Sequence, residues 1–152
     1  MKSVLTRKVW LIAATLLVVV ATVLIFRTAR SNRAHLASYN PAFDEHIASY
    51  TAGVISSGST IRIVLNQDVI QPGETGETSV KLFDISPSVS GTTWWLDTRT
   101  VEFRPSGRLA SGQWFEVEFA LGKLIKDLPA DLRTFAYSLQ VMPQNFEVTV
   151  DN

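Results

Sequence analysis

The feature that most constrains this chain is an uninterrupted apolar run from Val9 to Phe26, in which two threonines are the only polar residues. As a helix, these 18 residues rise about 27 Å, close to the hydrocarbon thickness of a bilayer. Basic residues flank both ends, and Trp10 lies where an indole suits the membrane interface. A buried helix that is apolar on every side needs a larger protein around it than this chain provides. The run therefore predicts a transmembrane helix with its limits at Val9 and Phe26.

A cleavable signal peptide also has a basic start and an apolar core, so it is the alternative to a membrane anchor. The run is longer than a usual signal-peptide core, and residues 27–34 offer no good small-x-small cleavage site. We therefore expect an uncleaved signal anchor. Three positive charges lie on each side of the run, so the positive-inside rule does not fix the orientation. We expect residues 1–8 in the cytoplasm and the body on the extracytoplasmic, periplasmic side, partly from the resemblance given below.

Charge is distributed unevenly although the chain has 14 basic and 14 acidic residues. Six of the basic residues and none of the acidic ones precede residue 34, so the rest of the chain is acidic. An acidic body repels phosphates, and the basic cluster belongs to the flanks of the apolar run. This pattern argues against nucleic acid as a partner. The chain has no cysteine, which excludes disulfides, a thiol nucleophile and cysteine-ligated zinc.

The rest of the chain divides into three parts. Residues 27–46 contain Asn40-Pro41 and small residues without periodicity, which predicts a juxtamembrane tether. Residues 47–142 consist of short alternating apolar runs separated by turn residues, which is typical of a β domain. Residues 143–152 begin another alternation, which we interpret as the start of an interdomain joint or a loose C-terminus.

The alternation within the β domain predicts which side chains form its core. The clearest run places Phe115, Val117 and Phe119 on one strand face and glutamates on the other. Comparable β-rich runs recur at residues 47–55, 61–65, 101–103 and 135–141. Seven or eight strands, with turn signals about every ten residues, predict an all-β, antiparallel, Ig-like sandwich. Only residues 123–132 offer room for a helical turn, and Pro129 limits it.

Trp94 and Trp95 form the one aromatic pair that cannot be assigned wholly to the core. Adjacent residues of a strand point to opposite faces, so we expect one indole in the core and the other more exposed, or covered by a neighbouring domain. An exposed tryptophan is a candidate contact for a protein or glycan partner, and simple packing is the alternative.

Groups suited to catalysis are scarce. The two histidines, His35 and His46, both fall in the predicted tether. Glu116 and Glu118 share one strand face, as a carboxylate pair requires, but that face is also the one that normally meets solvent. The segment 73–79 superficially resembles a phosphate loop, yet it lacks the lysine and does not open a helix. We predict that the chain is not an enzyme and holds no metal or cofactor.

A family resemblance rests on six segments in a fixed order. They are Tyr50–Ser56, Ile61–Leu65, Ile85–Gly91, Trp95–Pro105, Leu132–Phe135 and Gln144–Val148. Together they resemble the first macroglobulin-like domain of bacterial alpha-2-macroglobulins, especially of the Bacteroidota type, and they are also similar to bacterial Ig-like domains.

The resemblance implies a β-sandwich in the cell envelope, belonging to a many-domain protein that traps proteases after bait cleavage, often with a thioester. This chain has no cysteine for a thioester and is too short for a bait region. The resemblance therefore implies a scaffold role and transfers no functional residue. Its implied partners are further macroglobulin-like domains or a protease, beside the membrane that the apolar run predicts. We interpret the chain as an N-terminal fragment of such a trap; the alternative is a free-standing envelope module that binds a protein or glycan.

Overall fold

The computed structural model describes residues 40–144, which form an all-β fold of nine strands in two sheets. The strands are β1 (Ile47–Tyr50), β2 (Gly53–Ile55), β3 (Ile61–Leu65), β4 (Gly76–Thr78), β5 (Phe83–Ser86), β6 (Gly91–Trp95), β7 (Thr100–Pro105), β8 (Trp114–Phe119) and β9 (Phe135–Val141). Three short 3-10 helices accompany them, at Pro41–Glu45, Leu121–Lys123 and Ala130–Leu132. The all-β prediction is confirmed, with nine strands in place of the seven or eight expected.

The predicted span from Val9 to Phe26 lies outside the described residues, as do residues 27–39 of the predicted tether and residues 145–152. Within residues 40–144, no helix combines the length and apolar character needed to cross a bilayer.

One strand pair departs from the predicted antiparallel arrangement. The five-stranded sheet has the order β1-β3-β7-β6-β4, and the four-stranded sheet has the order β2-β9-β8-β5. All pairs are antiparallel except β2 with β9, where Gly53 lies opposite Leu139 in parallel register. The expected single run 47–55 is divided at Gly53, whose positive φ of 73° suits glycine. The chain passes there from one sheet to the other without reversing, so its second half meets β9 in parallel.

The core lies between the apolar faces of the two sheets. Phe115, Val117 and Phe119 are buried as their alternation predicts, and Ile61 and Ile63 are fully buried on the opposing sheet. Burying an aliphatic or aromatic side chain of this size contributes about 1.5–3 kcal/mol each. Aromatic pairs also join the two sheets. The rings of Tyr50 and Phe135 meet edge to face at 4.8 Å, and those of Phe83 and Phe103 lie 6.0 Å apart.

The last residues of the predicted tether pack on the sandwich. Asn40 begins the 3-10 helix Pro41–Glu45, because its side-chain oxygen accepts a hydrogen bond from the Ala42 amide at 3.0 Å. Phe43 is buried, and its ring meets that of Phe135 at 4.9 Å. The sandwich therefore includes residues upstream of the strand that begins at Ile47.

The hairpin of β6 and β7 is set by local chemistry. The Asp97 carboxylate accepts hydrogen bonds from the backbone amides of Arg99, at 2.9 Å, and Thr100, at 2.7 Å. These bonds hold the pKa of Asp97 below its ordinary value, with burial opposing them. This turn joins the two strands and fixes the register in which Trp94 faces Glu102.

Candidate interaction surfaces

The two adjacent tryptophans of β6 lie on opposite faces, as predicted. Trp95 is 5% exposed and belongs to the core, whereas Trp94 is half-buried on the outer face of the five-stranded sheet. Trp94 is not part of the core cluster, so its role depends on the side chains that contact it on the outer face.

Trp94 belongs to a polar cluster whose centre is a buried carboxylate. Arg62, Glu102 and Trp94 lie directly opposite one another on β3, β7 and β6. We call Thr60, Arg62, Trp94, Glu102 and Arg104 the Glu102 cluster. Arg62 Nη2 donates to Glu102 Oε2 at 3.0 Å, Arg104 Nε donates to Oε1 at 2.6 Å, and Thr60 Oγ1 donates to Oε2 at 3.2 Å. Both carboxylate oxygens are therefore engaged.

The electrostatics of the Glu102 cluster favour an ionised carboxylate. The Glu102 side chain is only 5% exposed, although it lies on an outer sheet face. Burial raises the pKa of Glu102, but the hydrogen bonds from Arg104, Arg62 and Thr60 outweigh it and leave the pKa below its ordinary value. Two guanidinium groups and one carboxylate leave a local charge of about +1.

The indole of Trp94 is held by two contacts. The guanidinium carbon of Arg104 lies 4.3 Å from the centre of the Trp94 ring, which is a cation–π geometry. Trp94 Nε1 donates to Thr92 Oγ1 at 2.9 Å. These contacts fix one face and one edge of the indole, so the outer face of this sheet carries an ordered surface of arginine and tryptophan.

A second surface lies on the outer face of the four-stranded sheet and exposes several apolar side chains. Gln140 of β9 lies opposite both Val54 of β2 and Trp114 of β8. Val54, Trp114 and the nearby Met142 are between 44% and 58% exposed. We call these three residues the exit patch, because the described chain leaves the sandwich beside them.

Backbone hydrogen bonds hold the chain where it leaves the sandwich. The Met142 amide donates to the Ile55 carbonyl at 2.8 Å, and the Gln144 amide donates to Ser111 Oγ at 2.8 Å. Ser111 Oγ in turn donates to the Met142 carbonyl at 3.3 Å. The position and direction of the chain at Gln144 are therefore set by the sandwich.

Sequence reasoning missed Trp114 and Glu102. Trp114 lies two and four residues before Glu116 and Glu118 in β8, so strand alternation puts its indole on the same solvent face and could have identified it. For Glu102 the sequence shows only the nearby Arg104 on the same strand face, because the second arginine partner, on β3, is 40 residues away.

A cavity of about 480 Å³ lies between the free edges of the two sheets. Residues 77–81, 83–85 and 88–93 line it together with the ring of Phe103. Gly91 permits this arrangement, because a Cβ there would collide with the Phe103 ring and the Arg104 carbonyl. The ionised side chains at the rim include Lys81 and Asp84, which form an exposed ion pair at 2.9 Å. This is a groove with a hydroxyl-rich lining and one exposed ion pair at its rim.

The groups considered for catalysis are not brought together. His46 ends the first 3-10 helix, whereas Glu116 and Glu118 lie on β8 of the other sheet. His35 lies outside the described residues, and among residues 40–144 no set of three acidic or histidine side chains is placed to hold a metal. Residues 73–79 form a turn and the edge strand β4, with no helix following. Within the described part of the chain, the histidine and the two glutamates therefore lie on different elements and do not form one site.

No protein-family model and no curated protein matches this chain. Among solved structures, the chain is similar to L,D-transpeptidase 3 from Mycobacterium tuberculosis in complex with a faropenem-derived adduct. That similarity has 13% identity, a TM-score of 0.42, and coverage of 66% of this chain and 39% of the other. It is also similar to an L,D-transpeptidase from Mycobacterium tuberculosis H37Rv, with 14% identity, a TM-score of 0.43 and coverage of 64% and 40%.

The matched region thus spans about two fifths of those transpeptidase chains. Both neighbours are enzymes, but at these TM-scores the likeness carries no argument about activity. That this chain is not an enzyme stays a prediction.

Proposed function

We propose that this chain is a non-catalytic, membrane-anchored Ig-like module that serves as the N-terminal scaffold domain of a bacterial alpha-2-macroglobulin-like protease trap. The observation that carries the proposal is the exit patch. It presents exposed apolar side chains beside the point at which the polypeptide leaves the sandwich.

An outer sheet face that meets only water is normally polar. The exit patch instead exposes Val54, Trp114 and Met142 around one end of the four-stranded sheet. In the proposed protein, a following macroglobulin-like domain covers these side chains. Interfaces between domains of one chain bury about 600–1,500 Å², and a patch centred on an indole suits the middle of such an area.

The fixed exit of the chain supports the same role. The bonds of Met142 and Gln144 to the sandwich set the direction in which a following domain begins. A scaffold needs this property, because a domain attached through a loose joint would not be positioned. In this proposal the sandwich holds the following domain in a fixed position. The predicted anchor, which precedes the sandwich in sequence, would keep the assembly at the periplasmic face of the membrane.

The first test is the genomic sequence immediately downstream of codon 152, read in all frames. The proposal expects coding sequence for further macroglobulin-like domains. Unrelated sequence after a stop codon would overturn the assignment to a trap.

The second test concerns the anchor. The full chain, expressed in bacterial cells, is expected to stay in the membrane pellet after alkaline carbonate washing. A matched variant with Val18→Arg and Val19→Arg is expected to be released, because two charges at the centre of the run oppose insertion. Release of the unmodified chain would overturn the anchoring.

The alternative is a free-standing envelope module that binds a protein or glycan partner. The half-buried Trp94 and its arginine neighbour favour it, since these residue types are enriched at interfaces. An isolated gene, with no macroglobulin-like sequence beside it, is the outcome that would favour this alternative.

A further inference from the structure

We propose that the Glu102 cluster is a recognition surface for a carboxylate of a partner protein. In this proposal Arg62 and Arg104 bind an Asp or Glu side chain, Trp94 forms the adjacent wall, and Glu102 is a positioning residue. The inference goes beyond the scaffold role and does not depend on it, because the surface lies on the other sheet from the exit patch.

The hydrogen bonds of the Glu102 cluster leave donors available on both arginines. Arg62 bonds to Glu102 through Nη2, and Arg104 bonds through Nε. Neither bond uses Nη1 of Arg62 or either Nη of Arg104. The two side chains are 50% and 39% exposed, so these donors lie within reach of a ligand. A guanidinium fork of this kind matches the two oxygens of a carboxylate.

Glu102 holds the two arginines in place before any ligand arrives. An exposed arginine normally samples many rotamers and loses that freedom on binding. Here Arg62 is tied to one oxygen of Glu102, while Arg104 is tied to the other and stacked on Trp94. Ordering both side chains in advance reduces the entropy lost on association.

The charge around the Glu102 cluster limits which anion fits. The chain after residue 34 is acidic overall, so a long polyanion is repelled by the rest of the domain. Glu77 lies directly opposite Trp94 on the edge strand β4, at the other end of the row from Arg62. Its Cα is about 14 Å from that of Arg62 across three strand spacings. A ligand carboxylate is therefore directed to the side of β3 and β7, away from Glu77.

The flat geometry indicates a protein as the source of the carboxylate. Arg62, Glu102 and Trp94 lie in one row across an outer sheet face, which gives a small anion no enclosing walls. Tryptophan and arginine are the residue types that most often dominate binding energy at protein interfaces. An acidic loop that lays one carboxylate on the arginines and apolar atoms on the indole satisfies both features.

The test uses the full chain in a neutral detergent and a blocked tetraglutamate peptide as the probe. We expect saturable NMR shifts of the Trp94 Nε1–H and Arg104 Nε–H signals. Blocked tetraglutamine should produce no such shifts. Arg62→Gln and Arg104→Lys should each weaken binding by about tenfold, since each removes a guanidinium fork that pairs with the two carboxylate oxygens. Arg108→Gln, which removes an exposed arginine elsewhere, should leave the affinity unchanged.

Glu102→Gln separates a positioned pair of arginines from simple charge attraction. The substitution raises the local positive charge, so charge attraction alone would make tetraglutamate bind more tightly. The proposal expects weaker binding, because a neutral amide cannot accept strongly from both arginines. Tighter binding by this variant would overturn the proposal.

Three further outcomes would also overturn it. They are no saturable shift with tetraglutamate, an equal loss of affinity in Arg108→Gln, and displacement of the peptide by inorganic phosphate at equal concentration. Unchanged shifts of the buried Val117 and Phe119 amides, on the other sheet, would show that each variant is folded. If Glu102→Gln does not fold, the test rests on Arg104→Lys. This variant keeps the positive charge but loses the guanidinium over the Trp94 ring.

Discussion

The core of this sandwich contains a hydroxyl group whose removal should stabilise the fold. Tyr137 of β9 is 8% exposed, and among residues 40–144 its hydroxyl oxygen has no hydrogen-bond partner. Its ring is well packed, at 4.8 Å from the Tyr50 ring and 5.2 Å from the Phe135 ring. Tyr137→Phe keeps these ring contacts and removes only the oxygen.

The expected gain follows from the cost of burying an unpaired polar group. That cost is about 1–3 kcal/mol, and it is recovered when the group is deleted. Loss of the van der Waals contacts of one oxygen atom, which would leave a small void, offsets part of the gain. We expect a net stabilisation of about 1 kcal/mol, which corresponds to a rise of about 4 °C in Tm for a domain of this size.

The pH dependence provides an independent check of the same group. Burial, and to a smaller extent the charge of Tyr50, raises the pKa of Tyr137 well above its ordinary value of 10.0. The unfolded chain therefore releases this proton near pH 10, while the folded chain retains it. The stability that the native chain has while Tyr137 is protonated in both states is fully present below pH 10. It is lost as pH rises further, because only the unfolded chain can then release the proton. The stability difference between Tyr137→Phe and the native chain should therefore widen by up to about 1.4 kcal/mol per pH unit above pH 10.

Urea unfolding followed by near-ultraviolet circular dichroism measures both effects. Tyr50→Phe is the matched control, because its half-buried hydroxyl should change stability by no more than about 0.5 kcal/mol. A loss of stability in Tyr137→Phe at pH 7 would refute the reasoning, since it would mean that the hydroxyl makes a favourable bond. A pH profile parallel to that of the native chain would refute the assigned burial.

Three further tests concern other parts of the fold. Because the pKa of Glu102 is lowered, the stability that ionised Glu102 contributes is present above its ordinary pKa of 4.5 and is lost as pH falls below it. In urea unfolding between pH 6 and 3, Glu102→Gln should remove part of this loss. An unchanged pH profile of stability would contradict an ionised Glu102. Phe119→Ala, at a fully buried position, should lower the free energy of unfolding by about 3–5 kcal/mol, whereas Trp114→Ala on the exposed face of the same strand should lower it much less. Equal losses of stability would contradict the assignment of faces in β8. Gly91→Ala should lower the free energy of unfolding by about 1–3 kcal/mol, because the new Cβ meets a phenylalanine ring and a backbone carbonyl. Gly58→Ala places its Cβ in open space and should be nearly neutral. Thermal unfolding of the two variants measures the difference.

The strands of this protein were predictable because their information is local. Alternation in β8 predicted that Phe115, Val117 and Phe119 are buried, and this is confirmed. The turn between β6 and β7 was equally readable, since one aspartate satisfies two backbone amides within three residues. An amphipathic strand or a capped turn depends on neighbours in sequence, so its pattern is visible before folding.

The candidate surfaces were only partly predictable. Strand alternation required that Trp94 and Trp95 point in opposite directions, but it did not say which of them enters the core. Trp114 could have been found from its parity with Glu116 on the solvent face of β8. The exit patch could not, because it joins Val54 and Met142 through a pairing between β2 and β9 that is distant in sequence.

Composition and periodicity are enough to establish an apolar N-terminal run, an acidic body and an all-β domain, because each depends on residue type and spacing along the chain. The parallel pairing of β2 and the placement of Arg62 beside Glu102 depend on which strands become neighbours. That choice is made when both sheets bury their apolar faces together, and Gly53 lets the first β run divide between them. Segments far apart in sequence then meet, and their contacts create the two surfaces on which a partner or a neighbouring domain would bind.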